Sequence, residues 1–198
     1  AEHGIPLPHD RWLATIGLAA GTAPWHPMEH LAERVARLDR EHVARRQRDT
    51  FHQLVAAESP RPGVARLIRE ARAAGVRVGL ASSATRDWID ANLARLGLAA
   101  HFETIRTRED VVHAKPDPTL YRLACDDLGV SPDDAVAVED STHGIAAARA
   151  AGCFTVVTPN GLTRHLDLSG AHWRVDTLDD VTLEGLRAAW RRHREGRP

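Results

Sequence analysis

AVAVEDS, residues 135–141, is an apolar run that ends in two carboxylates and a hydroxyl. Four consecutive apolar residues with β-branched valines are typical of a short strand that is buried on both faces. An alanine-rich helix over 145–151, closed by Gly152, follows, and Phe154–Val157 is a second apolar strand. A strand, a helix and a strand joined by short connections predict two parallel neighbours in one sheet.

The same alternation is present upstream. A helix over 64–71 stops at Gly75 and leads into an apolar strand over 76–81, and a helix over 88–96 leads into a strand over 102–105. Pro118 then opens a helix that reaches Leu128. We therefore predict an α/β fold over residues 63–198, in which helices cover both faces of a parallel sheet.

The first 58 residues differ because only the helical period occurs there. Leu31, Val35 and Leu38 recur at steps of three and four, and a second stripe runs from Val43 to Val55. Residues 58–63 contain two prolines and a glycine, which block helix continuation. The pattern predicts a small all-helical unit over 1–58, a linker, and the α/β unit over 63–198.

Composition excludes several classes of function. The 198 residues include 26 basic and 27 acidic side chains, and this balance gives no support to a nucleic-acid or membrane-surface partner. No apolar run is long enough for a membrane span. The two cysteines lack the spacing of a zinc site or a disulfide scaffold, which favours a reducing, cytoplasmic compartment. Sequence motifs of nucleoside triphosphatases, zinc proteases, serine hydrolases and dinucleotide-binding proteins are absent.

Lys115 is the only lysine, whereas the other 25 of the 26 basic residues are arginines. A bias toward arginine codons explains the 25 but not the exception. Lysine carries a compact ammonium on a thin stem, so it fits narrow sites that exclude a planar guanidinium. Lys115 is therefore a candidate functional residue, although a solvated loop position would also accommodate it.

Polar residues stand at the ends of three predicted strands. Ser82 and Ser83 follow the first, Lys115 lies on the loop after the second, and Glu139 and Asp140 end the third. Because the carboxyl ends of parallel strands share one edge of a sheet, we expect these side chains to meet. Hydroxyl, N–H and ammonium groups suit a phosphate, and paired carboxylates suit Mg²⁺. Structural alternatives are helix capping by Ser82 and a first-turn position for the acidic pair.

The runs Gly79–Ser83, Lys115–Pro118 and Val138–Ser141 with Gly144 resemble motifs two, three and four of the haloacid dehalogenase superfamily. They are similar in particular to the branch that contains β-phosphoglucomutase and small sugar-phosphate phosphatases. The resemblance covers nearly the whole chain. It implies a Rossmann-like core, with the first 58 residues as its helical cap domain.

The resemblance also implies roles for the residues at the strand ends. Ser82 and the backbone N–H of Ser83 would bind the transferring phosphoryl group, and Lys115 would bridge the nucleophile and the phosphate. Asp140 would bind Mg²⁺, with Glu139 supporting the ion directly or through water. The cap would close over the site and select a small phosphorylated substrate such as a sugar phosphate.

The first motif of the superfamily has no counterpart in the chain. That motif is a buried strand ending in Asp-x-Asp, which supplies the nucleophile, the general acid/base and metal ligands, and no such segment occurs here. The stretch Ala1–Pro6 looks like the end of the helix that follows this motif. We therefore expect the core to lack its first strand in this chain. The natural protein would then have roughly 20 to 30 further residues at its N-terminus, the length of one strand and helix.

Two activities are compatible with such a site. A phosphatase and a phosphomutase both form an aspartyl phosphate and differ only in its fate. A non-catalytic binding protein with the same fold is the alternative from another class. Arg86, just after motif two, and the cap stretch Gly17 to His26 are candidate positions for substrate choice. We expect a monomer or a weak dimer.

Overall fold

The structure, a computed structural model, describes residues 3–18, 21 and 23–196. The helices are α1 (His9–Leu13), α2 (Pro27–Ala32), α3 (Arg40–Ala57), α4 (Val64–Ala73), α5 (Arg86–Arg95), α6 (Thr119–Leu128), α7 (Thr142–Ala151) and α8 (Leu183–Glu195). The strands are β1 (Gly79–Ala81), β2 (Thr104–Arg106), β3 (Val136–Glu139), β4 (Phe154–Val157) and β5 (Trp173–Arg174). None of the described helices is both long enough and apolar enough to cross a membrane.

All strand pairs are parallel, as the alternation of helices and strands predicts. β1 pairs with β2, with Gly79 opposite Thr104. β4 lies between β3 and β5, with Val136 opposite Phe154 and Val156 opposite Trp173. The predicted α/β fold with parallel strands is confirmed.

Helices pack against both faces of the β3–β4–β5 sheet, although part of one face at β3 stays uncovered. On one face, Phe154 and Val156 of β4 pack with Leu67 of α4 and Leu186 of α8. On the other face, Ala137 of β3 packs with buried residues of α6 and α7. These apolar contacts follow from the side-chain alternation of β4, whose four residues are all buried.

β1 and β3 each have a hydrogen-bonded strand on one side only within the described part of the chain. α6 packs against β1, β2 and α7, and so joins the two sheets. Val136 and Val138 of β3 are 36% and 41% exposed, although the residues between and after them are buried. One edge and one face of β3 are therefore open.

The helical stripe predicted through Leu31, Val35 and Leu38 is interrupted. α2 ends at Ala32, and α3 begins only at Arg40. Arg37 has a φ of 61°, which no α-helix accommodates. Asp39 then caps α3, because its carboxylate accepts a hydrogen bond from the backbone N–H of His42 at 2.9 Å.

The linker between the helical segment and the core is tied to the core by two arginines. Arg61 donates to the carbonyls of Thr158 and Pro159 at 2.8 and 2.6 Å. Arg95 of α5 donates to the carbonyl of Glu58 at 2.7 Å. Arg95 thus satisfies a carbonyl group of the linker, and Arg61 of the linker satisfies two carbonyl groups of the loop after β4.

β1, β2 and β3 differ from their predicted bounds by one to three residues at their ends. β1 begins at Gly79 and not at Val76, although the carbonyl of Val78 still accepts a hydrogen bond from Glu103 at 2.8 Å. β5 was not predicted from the sequence, because two residues are too few for a periodic pattern.

Leu120 of α6 is completely buried, so we expect Leu120→Ala to lower the free energy of unfolding by about 2–5 kcal/mol. Leu54→Ala on α3 is the matched control, because its side chain is 64% exposed. That variant is expected to change the free energy by less than about 0.5 kcal/mol. Urea unfolding followed by circular dichroism measures both, and equal losses would contradict the packing described.

Candidate active site

A cleft of about 410 Å³ opens where the carboxyl ends of β1 and β3 approach each other. It brings together all the sequence-predicted phosphate and metal residues. The residues that line it are Gly17, Leu18, Ser82, Ser83, Ala84, Thr85, Arg108, Lys115, Glu139, Asp140 and Ser141. The loops after β1 and β2 supply Ser82 and Lys115, and the segment after β3 supplies Asp140, so the carboxyl ends of the two parallel sheets face one cleft.

Lys115 and Glu139 form a buried ion pair in the cleft. The ammonium Nζ lies 2.5 Å from Glu139 Oε1, and the two side chains are only 9% and 7% exposed. Lys115 Nζ also donates to the hydroxyl of Tyr121 at 3.2 Å, and that hydroxyl donates to the same Glu139 Oε1. The ammonium lies 4.7 Å from the centre of the Tyr121 ring. Burial, followed by the charge of Glu139, raises the pKa of Tyr121 well above its usual value, so this phenol stays protonated.

The second oxygen of Glu139 is held from the opposite side. Oε2 accepts hydrogen bonds from the backbone N–H of Asp140 at 3.2 Å and from the hydroxyl of Ser141 at 3.4 Å. The same hydroxyl caps α7 by accepting from the N–H of Gly144 at 3.1 Å. A Cβ on Gly144 would overlap the carboxylate of Glu139. Glu139 and Asp140 therefore precede α7 and are not part of its first turn.

Asp140 lies beside this pair with its carboxylate toward the cleft. Its Oδ2 accepts a hydrogen bond from Asn160 Nδ2 at 3.0 Å. Burial, and next the negative charge of Glu139, raise the pKa of Asp140, although Asn160, Arg61 and Lys115 act in the opposite direction. No cluster of three or more histidine, cysteine or carboxylate side chains that could hold a metal lies within the described ranges.

Ser82 does not cap a helix, which excludes the structural alternative for this residue. Its hydroxyl accepts a hydrogen bond from the N–H of Ala84 at 3.1 Å, whereas Thr85 caps α5. The hydroxyl oxygen of Ser83 is buried and has no hydrogen-bond partner in the part of the chain that the structure describes. A buried hydroxyl without a partner is a candidate ligand donor, because leaving it unsatisfied is costly.

Arg86, the predicted specificity residue, is not among the residues that line the cleft. Its guanidinium pairs with Asp90 at 2.8 Å on the exposed surface of α5, so its role in substrate choice stays a prediction. Arg108, on the loop after β2, lines the cleft and was not predicted. The sequence could have indicated Arg108, because it closely follows a predicted strand, where cleft-lining side chains are expected.

The cap stretch Gly17 to His26 lies only partly within the described residues. Gly17 and Leu18 line the cleft, whereas Ala19, Ala20 and Thr22 are outside the described residues. Gly17 has a φ of 88°, and a Cβ there would lie 2.6 Å from the hydroxyl of Ser141. The backbone of the helical segment at Gly17 therefore lies close to the N-terminus of α7.

Sequence comparisons relate the chain to known proteins. Residues 5–152 match the family model of haloacid dehalogenase-like hydrolases. YhcW of Bacillus subtilis, a candidate phosphatase by name, is 38% identical over 183 residues, or 92% of this chain and 82% of YhcW. β-Phosphoglucomutase of B. subtilis is 30% identical over 159 residues, or 79% of this chain and 68% of the mutase.

Among solved structures, CbbY from Rhodobacter sphaeroides in complex with phosphate is similar, with a TM-score of 0.69 and 31% identity. The match covers 90% of this chain and 81% of that of CbbY. A variant of CbbY has been solved with xylulose-(1,5)bisphosphate, with a TM-score of 0.68 and 32% identity over 89% of this chain and 81% of CbbY.

Gly144→Ala is expected to destabilise the protein although alanine favours helices, because the added methyl group overlaps Glu139. We expect a loss of about 1–3 kcal/mol in the free energy of unfolding. Gly185→Ala is the matched control, because Gly185 occupies the same position of α8 and bonds to its cap, Thr182, at 3.0 Å. An added Cβ at Gly185 meets Thr182 Oγ1 at 3.2 Å, so urea unfolding should give a smaller loss there.

Asp140→Asn is expected to stabilise the protein at pH 7 in EDTA, because the pKa of Asp140 is raised in the folded state. The ionised carboxylate of Asp140 therefore destabilises the folded protein above its folded-state pKa. The gain in stability of Asp140→Asn should vanish as the pH falls below about 4, where the carboxyl group is protonated in both the folded and the unfolded state. At Asp167, two hydrogen bonds from Ser169 lower the pKa, so Asp167→Asn should have the opposite sign. Thermal unfolding between pH 3 and 8 tests both signs, and a loss of stability in Asp140→Asn at pH 7 would contradict the assignment.

Proposed function

Since the chain belongs to the haloacid dehalogenase-like hydrolases, we propose that it provides the phosphate-binding and metal-binding side of a Mg²⁺-dependent phosphatase for a small phosphorylated metabolite. The observation that carries the proposal is the buried ammonium of Lys115 in one cleft with Ser82 and Asp140. This cleft combines two kinds of group that a phosphomonoester and a divalent cation require.

The phosphoryl group is bound by Lys115 and by the Ser82–Ser83 turn. An ammonium has three N–H donors, and Glu139 and Tyr121 take two of those on Lys115. The third donor is available to a phosphoryl oxygen, as is the buried hydroxyl of Ser83. The fixed positive charge stabilises the equatorial oxygens of the phosphoryl group as negative charge spreads over them.

Asp140 fits a Mg²⁺ ligand. A hard carboxylate oxygen is the ligand type that this ion prefers, and Asn160 fixes the direction of the Asp140 side chain. Burial and the neighbouring charge of Glu139 raise the pKa of Asp140, and a bound cation would favour the ionised form of this carboxylate. When bound, Mg²⁺ would neutralise charge on the phosphate. Both oxygens of Glu139 already accept hydrogen bonds, so we assign the metal to Asp140 and not to the predicted pair.

The nucleophile of this proposal is an aspartate that is absent from these 198 residues and lies on a strand between β1 and β3. Both strands have an open edge in the described structure, and their ends meet at the cleft. The aspartate would attack phosphorus, and the bond from phosphorus to the substrate oxygen would break. The second aspartate of the Asp-x-Asp segment would give a proton to the leaving alcohol and would then take one from the water that attacks phosphorus. This attack breaks the bond from phosphorus to the nucleophile, regenerates its carboxylate and releases inorganic phosphate.

The substrate class of this proposal is a sugar phosphate or a similar metabolite. CbbY binds a sugar bisphosphate, and Arg108 gives the present cleft a second cationic side chain besides Lys115. A phosphomutase is the second candidate, supported by the 30% identity to β-phosphoglucomutase. The two activities are distinguished by whether phosphate appears in solution or on another hydroxyl of the sugar.

The test is Mg²⁺-dependent phosphate release from p-nitrophenyl phosphate and a panel of sugar phosphates. We expect turnover by a protein that also carries the Asp-x-Asp segment, and phosphate binding without turnover by the 198 residues. Lys115→Met should lower kcat/KM by about 10²–10³-fold, because an electrostatic stabiliser is lost. Arg194→Gln on α8, whose guanidinium pairs with Asp134 away from the cleft, is the control for loss of one charge. Phosphate binding without turnover in both proteins would favour the non-catalytic alternative.

A further inference from the structure

We propose that Tyr121 is a positioning residue that, together with Glu139, fixes the ammonium of Lys115 so that one N–H points to the ligand. The proposal deepens the proposed function and rests on it only for the identity of that ligand. The evidence is the contact of the Tyr121 hydroxyl with both members of a buried ion pair.

A hydrogen-bond count supports an active role for this hydroxyl. Lys115 donates one N–H to Glu139 Oε1 and one to Tyr121, and Tyr121 donates its only proton to Glu139 Oε1. The three groups thus form a closed triangle in which each donor has one acceptor. Two fixed N–H bonds determine the direction of the third, because the three are arranged tetrahedrally.

The ring and the hydroxyl of Tyr121 act on different properties of Lys115. The ring lies 4.7 Å from the ammonium, a cation–π distance that favours the positive charge but allows the ammonium to rotate. The hydroxyl adds a directional bond at 3.2 Å. Phenylalanine would keep the first contribution and lose the second.

The rigid support for Tyr121 comes from α6. The neighbouring Leu120 is completely buried, and Ala124 and Cys125 on the following turn are also buried. α6 packs against β1, β2 and α7, the elements that surround the cleft. A tyrosine on a helix held in this way can position an ammonium on a loop, since the loop itself has no sheet partner.

Glu139 is the second support, and its geometry divides the acidic pair into two roles. Oε1 accepts from Lys115 and Tyr121, and Oε2 accepts from the Asp140 N–H and the Ser141 hydroxyl. Four donors fill the lone-pair directions of a carboxylate. Glu139 therefore holds the ammonium of Lys115, whereas Asp140 is the proposed ligand of Mg²⁺.

Lys115 is the only lysine and Tyr121 the only tyrosine of the chain, so each gives a single spectroscopic signal. In protein labelled with [¹⁵N]lysine, the Lys115 ammonium should give an observable ¹H–¹⁵N signal, because its protons are buried and hydrogen-bonded. Inorganic phosphate should shift this signal. Tyr121→Phe should broaden or abolish it and weaken phosphate binding by about 5- to 10-fold, the effect of one lost hydrogen bond.

Thr155→Val is the matched control, because it also removes one hydrogen-bonded hydroxyl group, at a completely buried residue that is not in the cleft lining. It should leave the ammonium signal and the phosphate affinity unchanged. An unchanged signal and affinity in Tyr121→Phe would mean that Tyr121 only fills space, and would overturn the inference. A wild-type signal that does not respond to phosphate would count against the proposed function, while the effect of Tyr121→Phe would still judge the positioning role.

A second measurement covers the case in which Tyr121→Phe does not fold. Protein grown with 3-fluorotyrosine has one ¹⁹F signal, which reports on Tyr121 in the otherwise unchanged chain. Lys115→Met removes the ammonium and should move this signal. A ¹⁹F signal that stays in place would show that the tyrosine does not contact the lysine, and would overturn the inference independently.

Discussion

The buried ion pair between Lys115 and Glu139 is the interaction on which the site depends. Two charges removed from water cost several kcal/mol each, and the cost is repaid only when hydrogen bonds satisfy both groups. Tyr121 and the groups at the start of α7 supply these bonds, and Gly144 leaves space for the carboxylate. Because the donors come from α6 and from the segment between β3 and α7, the pair links these elements by directional hydrogen bonds in addition to their apolar contacts.

The core could be predicted from the sequence where its elements are long or strongly patterned. β4 has the predicted bounds, and the family assigned from three motifs is confirmed. The break between α2 and α3 could not be predicted, because Leu31, Val35 and Leu38 keep the helical spacing across it. The positive φ of Arg37 interrupts the helix and the capping hydrogen bond of Asp39 starts a new one, although the hydrophobic spacing continues.

In the site, the sequence predicts which residues meet but not which atoms bond. Ser82, Lys115 and Asp140 each follow the carboxyl end of a parallel strand, and they come together because α6 packs the two sheets side by side. The contacts of Tyr121 and Asn160 depend on the rotation of α6 and on the path of the loop after β4, which no local pattern determines. Tyr121 is the only tyrosine of the chain, just as Lys115 is the only lysine, so the composition could have marked it as a candidate functional residue.

Arg61 connects the linker between the helical segment and the core to the cleft. Its guanidinium holds the carbonyls of Thr158 and Pro159, and Asn160, which follows them, holds Asp140. The charge of Arg61 also stabilises the ionised form of Asp140. A ligand that changes the charge at Asp140 therefore acts on the loop after β4, which is the same loop that ties the linker to the core.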